Sequence, residues 1–147
     1  MPGPDERLGT AGAIERVGGD LYVNVLRDFN VGSAVYRIDA ATGEIIRIGS
    51  LGPETDLNTG AAASPDGTRL FVTGDSGSRG NKGAANYLLA LPTLEILASL
   101  EGAAAAPETF GYFGAAWHPD GKRIYVAASN FIGGRNEILV YLARPLR

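Results

Sequence analysis

The chain has 147 residues, with 13 Lys and Arg against 16 Asp and Glu, a formal net charge of −3 and a pI of about 5.1. No basic field is available to gather nucleic acid or an anionic membrane, and the absence of cysteine removes disulfides and thiolate metal sites. With 21 Gly, 8 Pro, one Met and one Trp, the usage suits many short strands joined by tight turns better than long helices.

Residues 1–9 read as an N-terminal extension, acidic and broken by Pro2 and Pro4, without the basic start and apolar run of a secretory signal. No apolar run approaches the roughly 20 residues needed to span a bilayer, so the chain is expected to be soluble, with its compartment left open.

Three units follow. The first, residues 10–52, begins with a small-residue strand at 12–15 and turns at Gly18-Gly19. It continues into Asp20-Leu21-Tyr22-Val23, a third strand at 34–39, the turn Ala41-Thr42-Gly43 and a fourth strand at 44–51. The second, residues 58–102, repeats the plan: 60–63, the turn Pro65-Asp66-Gly67, Arg69-Leu70-Phe71-Val72, 86–91, the turn Pro92-Thr93 and 95–100. The third, residues 112–147, has 114–117, Pro119-Asp120-Gly121, Arg123-Ile124-Tyr125-Val126 and 138–142, with Pro145 aligned on the Pro92 turn. Proline presets φ for each turn, glycine can take φ > 0, and the aliphatic and aromatic residues that follow suit a central strand.

The second and third units are copies of one pattern. Of the 20 positions from Pro53 to Val72, 11 recur 54 residues later, beginning with Pro53-Glu54-Thr55 against Pro107-Glu108-Thr109. A period near 50 with four strands, A to D, per unit is the signature of a β-propeller blade. The predicted fold is therefore all-β: a propeller-like array of about three four-stranded antiparallel blades, the third lacking its outer strand. Three blades fall below the usual minimum for a closed ring, so an apolar face at each end and an unpaired edge on the last strand are expected to invite association. Residues 2–8 are a poor candidate for the missing strand, being short, charged and twice broken by proline.

Ser64-Pro65-Asp66-Gly67-Thr68-Arg69-Leu70-Phe71-Val72-Thr73 and His118-Pro119-Asp120-Gly121-Lys122-Arg123-Ile124-Tyr125-Val126-Ala127 resemble the repeat of the YVTN-type propellers, a superfamily that includes lactonase-like, TolB-like and quinoprotein amine dehydrogenase-like members. The resemblance spans residues 12–145 and is weakest in the first unit, where Val17-Gly18-Gly19-Asp20 replaces Pro-Asp-Gly. Because its motifs are turns and strands, it implies a fold and not an activity.

Antiparallel strands place the A–B and C–D turns on one face and the B–C and D–A loops on the other. The loops at 75–85, 129–137, 52–59 and 102–113 are the long ones, so all share one face, where binding usually occurs. Its candidate residues are Asp28 and Asn30; Asp75, Arg79, Asn81 and Lys82; Asn130, Arg135 and Asn136; and, from the D–A loops, Glu54, Asp56, Asn58, Glu108 and Tyr112. Singly, each reads as a solvated turn residue. The only histidine, His118, stands at a turn and reads as turn packing, and Trp117 and Tyr125 read as aromatics packing between blades. No catalytic residue is expected. Glu54 and Glu108 are equivalent positions that could offer oxygen ligands to calcium, although Pro-Glu-Thr more simply shapes the loop. No other cofactor is implied, since the glycine-rich stretch 74–83 lacks the ending of a phosphate loop.

The expected function is thus a non-enzymatic repeat module for protein binding or self-assembly, either half of a dimeric six-bladed ring or part of a larger propeller. Its partners would be further copies or a chain supplying the missing blades. The alternative is part of a lactonase-like or dehydrogenase-like enzyme with Glu54, Asp56, Asp75 and Glu108 around a central channel.

Overall fold

The computed structural model describes residues 10–28, 32–51, 58–76, 86–100, 110–130 and 136–144. These form eleven strands. The first sheet holds β1 (Thr10–Val17), β2 (Asp20–Asp28), β3 (Gly32–Asp39) and β4 (Ile45–Ser50). The second holds β5 (Asn58–Ala63), β6 (Arg69–Ser76), β7 (Asn86–Ala90) and β8 (Ile96–Leu100), and the third β9 (Phe110–Trp117), β10 (Arg123–Asn130) and β11 (Asn136–Leu142). Within each of the three sheets neighbours pair antiparallel in chain order, and β5 lies between β1 and β9. The predicted array of three blade-like sheets, with three strands in the last among the described residues, is the observed one.

The two Pro-Asp-Gly turns are built alike. Gly67 and Gly121 take φ of 70° and 67°, and their amides donate to the carbonyls of Ser64 and His118 at 2.9 Å. Only glycine adopts that conformation without strain, which explains why the tripeptide recurs with its glycine.

The strands run further than the sequence suggests, and this has a consequence. β5 opposes β6 only as far as Gly74, leaving the edge of Asp75 and Ser76 free, and the start of β9 takes it: Asp75 faces Gly111 and Ser76 faces Phe110. The second and third sheets are thereby one hydrogen-bonded array, whereas no ladder joins the first sheet to the second among the described residues.

Strand alternation sorts the core. Leu70 and Val72 of β6 face the first sheet and pack with Tyr22, Val35, Leu51, Tyr87, Leu89 and Leu94. Phe71, one residue out of phase, faces the third sheet and meets Ile124, Val126 and Ala128. A buried polar layer accompanies these clusters. Asn24 donates to the Gly60 carbonyl at 3.2 Å and Asn86 to the Tyr141 hydroxyl at 3.3 Å, each tying one sheet to the next. Leu94 shows how tight the packing is. It takes φ of 60° where the first sheet has Gly43, and its Cβ would lie 2.8 Å from a Cβ on Gly49. The left-handed conformation costs about 1–2 kcal/mol, and burial of the side chain offsets it.

The two ends of the array differ, contrary to the expectation of an apolar face at each. On the face of the first sheet turned away from the second, Val25, Ala34 and Tyr36 are buried. On the far face of the third sheet, Ile138, Val140 and Leu142 are 66%, 52% and 77% exposed.

Candidate functional site: the open face of the third sheet

Of the loop-face candidates, Asn30, Glu54, Asp56, Arg79, Asn81, Lys82, Glu108 and Arg135 lie outside the described residues, and with them the calcium reading of Glu54 and Glu108. The other six sit on strand ends. Asp28 closes β2 opposite Gly32. Register brings the remaining five into one row across five strands: Asn58 opposite Gly74, Asp75 opposite Gly111, Tyr112 opposite Ala128, Asn130 opposite Phe110 and Asn136 opposite Ser129. At its end Ser129 Oγ donates to Asn136 Oδ1 at 2.8 Å, beside a shallow cavity of about 300 Å³ that Asn136, Glu137 and Ile138 line. Among the described residues no three His, Cys, Asp or Glu side chains group as metal ligands, and no helix is long and apolar enough to cross a membrane.

The turn end of the molecule carries the stronger electrostatics. Asp66 accepts the Ser64 hydroxyl at 2.6 Å, the Thr68 hydroxyl at 2.7 Å and the Thr68 amide at 3.0 Å, and these bonds hold its carboxyl down to about 2 from an ordinary 3.8. Asp120 is likewise held at about 2, first by the Lys122 amide and also by Arg123 and His118. A carboxylate with a depressed folded pKa stabilises the fold above its unfolded value, and that contribution drains away as pH falls toward about 2. Asp66→Asn is therefore expected to cost about 1 kcal/mol at neutral pH, since solvent screens an exposed carboxylate. Below pH 2 the variant should converge on wild type. Urea midpoints at pH 7 and in strong acid test this, and a deficit that persists in acid would count against the carboxylate.

His118 belongs to this turn, as expected. The Asp120 amide donates to its Nδ1 at 3.2 Å, Arg123 Nη2 lies 3.2 Å from its Nε2, and its ring sits 6.2 Å from that of Tyr125. Between the two Pro-Asp-Gly turns runs a cleft of about 590 Å³, walled by Pro65, Asp66, Pro119 and Asp120, with Arg69 and Lys122 along it.

Arg69, which the sequence marks only as the polar start of a strand, is the link across this cleft. It is 7% exposed, its Nη2 donates to the Gly121 carbonyl at 3.3 Å and its Nη1 to the Arg144 carbonyl at 3.4 Å. The guanidinium carbon lies 4.8 Å from the centre of the Trp117 ring, and Trp117 Nε1 donates back to the Ala62 carbonyl at 2.9 Å. Trp117 thus packs between sheets, as predicted. In the first sheet Asp20 holds the Arg69 position and accepts Arg37 Nε at 2.8 Å. Burial, and then the Asp20 charge, push the nearby Tyr22 hydroxyl up.

The third sheet repeats the arrangement without its counterpart. Tyr125 lies opposite Ala116 and Val140, as Phe71 lies opposite Ala62 and Leu88. Phe71 is fully buried against the third sheet, whereas no described element packs on the Tyr125 face, which Ala127, Ile138, Val140 and Leu142 complete. Tyr125 therefore holds the inter-sheet position expected of it but lies on the open side. The repeat in the sequence was the signal for this surface, since it equates Tyr125 with Phe71.

No protein-family model matches the chain, and no curated protein matches it. Among solved structures the chain is similar to Kuenenia stuttgartiensis hydrazine synthase, with a TM-score of 0.58 at 13% identity. The match covers 97% of this chain and 39% of that one, so the chain spans about two-fifths of the solved chain's length. At that identity the likeness concerns the fold alone.

Proposed function

We propose that the chain is a non-enzymatic, propeller-type repeat module that works by sheet-to-sheet protein binding through the open face of its third sheet. The exposed row Ile138, Val140 and Leu142 carries this reading. Strand residues alternate between faces, and in β11 Leu139 and Tyr141 pack inward while Ile138, Val140 and Leu142 face outward, on a surface whose counterpart in the second sheet, Phe71, is fully buried. The YVTN-type resemblance of the two Pro-Asp-Gly repeats supports the same architecture.

Val140→Asp tests it. At high dilution the wild-type chain is expected to enhance the fluorescence of a dye specific for apolar surface. The variant should lose most of that signal at an unchanged melting temperature, because Val140 is already half exposed. A wild-type chain that neither binds the dye when dilute nor associates when concentrated would overturn the proposal.

A further inference from the structure

We infer that the open face of the third sheet receives the first sheet of a second copy of this chain, so that the interface repeated within the molecule is completed between molecules. The inference rests on the binding role proposed above and names its partner.

Within the chain each interface joins a forward face, the side turned toward the next sheet, to a backward face. Phe71 is the forward residue of the second sheet, and its ring lies 5.6 Å from that of Tyr141 in a cluster with Ile124 and Val126. Tyr125 supplies the matching forward face on the third sheet. The matching backward face belongs to the first sheet. There Leu21 pairs with Ile38 and Val23 with Tyr36, as Ile124 pairs with Tyr141 and Val126 with Leu139. Ile14, opposite Val23 as Ala115 is opposite Val126, is 61% exposed on that face. Val25, Ala34 and Tyr36 are already buried there, so contact falls on the half nearer the turns, around Ile14, Leu21 and Ile38. The open face of the third sheet and the turn-side half of the first sheet's outer face are thus the two halves of one interface.

Hydrogen bonding points the same way. The Arg69 guanidinium latches onto the Gly121 carbonyl of the next sheet's turn. Arg123, at the same register position, meets no next sheet among the described residues and folds back onto Asp120 Oδ2 at 2.9 Å. Gly18 is the first sheet's counterpart of Gly121: it also has positive φ, and the carbonyl one residue later accepts from Ala40 in one turn and from Ala143 in the other. At present the Gly18 carbonyl accepts only a 3.4 Å contact from Arg16 Nε among the bonds of the described residues. Arg16 in turn stands where Trp117 stands, opposite Leu21 as Trp117 is opposite Ile124. On docking, Arg123 of one copy leaves Asp120 for the Gly18 carbonyl of the other, and the released Asp120 receives that copy's Arg16. The exchange conserves one ion pair, now between copies, and one guanidinium on a backbone carbonyl. Three sheets from each of two copies make six, within the usual range for a closed ring, and a two-fold axis lets both interfaces form at once.

Light scattering on the intact chain, with variants of the exposed residues Val140 and Ile14, tests the inference. The wild type is expected at about 31 kDa, twice the 15.3 kDa of one chain. Val140→Asp and Ile14→Asp should each run as folded monomers, with the melting profile of the wild type diluted to its monomer. Mixed in equal amounts, they should recover the dimer mass through their one intact interface, and Arg123→Ala should weaken wild-type dimerisation about tenfold, the worth of a charge-assisted hydrogen bond. If Ile14→Asp stays dimeric while Val140→Asp does not, two third sheets meet face to face and the inference is overturned. A wild-type monomer that still binds the apolar-surface dye also overturns it but leaves the binding role standing. A monomer that binds no dye removes both.

Discussion

Phe71→Ala is expected to cost about 3–5 kcal/mol of folding stability, the range for truncating a fully buried aromatic side chain. Phe71 has no exposure and fills the centre of the interface between the second and third sheets, against Tyr141, Ile124 and Val126. The surrounding strands are pinned by ladders on both sides and cannot collapse into the space left behind. Tyr125→Ala makes the informative comparison. It truncates the same position one repeat later, yet with no sheet packed on it in a single molecule it should cost less than 1 kcal/mol by the usual scale for surface substitutions. Urea unfolding of both variants at concentrations where the chain is monomeric checks the pair. A loss below about 1 kcal/mol for Phe71→Ala, or equal losses at the two positions, would show that the repeat does not distinguish a closed face from an open one.

Arg69→Ala is expected to lose roughly 3 kcal/mol, and the loss should be coupled to Trp117. Two charge-assisted hydrogen bonds reach the carbonyls of Gly121 and Arg144, and the cation lies over the indole ring. With the side chain gone, both carbonyls stand at a half-open cleft where water replaces the guanidinium only in part. Arg69→Lys should recover little, because a single ammonium cannot reach two diverging carbonyls while stacking on a ring. In a double-mutant cycle Arg69→Ala and Trp117→Phe should show a coupling of about 1 kcal/mol. Additive losses would mean that the ring contact contributes nothing.

The features that local chemistry dictates are legible in the sequence. Pro-Asp-Gly demands a turn with positive φ at its glycine, and the aliphatic and aromatic residues after it demand a central strand, so strand B of the second and third units and its turn lie where expected. Features that depend on a neighbouring sheet were not readable in this way. Residue type marks Arg69 only as the polar start of a strand, because the carbonyls it serves are 52 and 75 residues away. Leu94 occupies a position that turn chemistry assigns to glycine, and only the space above Gly49 in the first sheet explains it. Asn24, Thr73 and Asn86 interrupt the apolar alternation at fully buried positions, where side-chain type alone would have predicted exposure. Their Asn24 Oδ1, Thr73 Oγ1 and Asn86 Oδ1 atoms accept no hydrogen bond from the described residues. For the loop face, residue types suggested a cluster, but the row of Asn58, Asp75, Tyr112, Asn130 and Asn136 follows from strand register.

The short pairing of Asp75 and Ser76 with Gly111 and Phe110 makes the three sheets unequal as thermodynamic units. Two of them share a continuous backbone ladder, so separating them breaks main-chain bonds, while the first is held to the second by side chains and by the single Asn24 to Gly60 bond described. Native-state hydrogen exchange should therefore resolve two cooperative blocks. Amides of β1 to β4 would exchange through a lower-energy opening that leaves β5 to β11 intact, and those of β6, β7 and β10 only through global unfolding. Equal protection in β2 and β6 would mean that side-chain packing alone couples neighbouring repeats as firmly as a shared ladder.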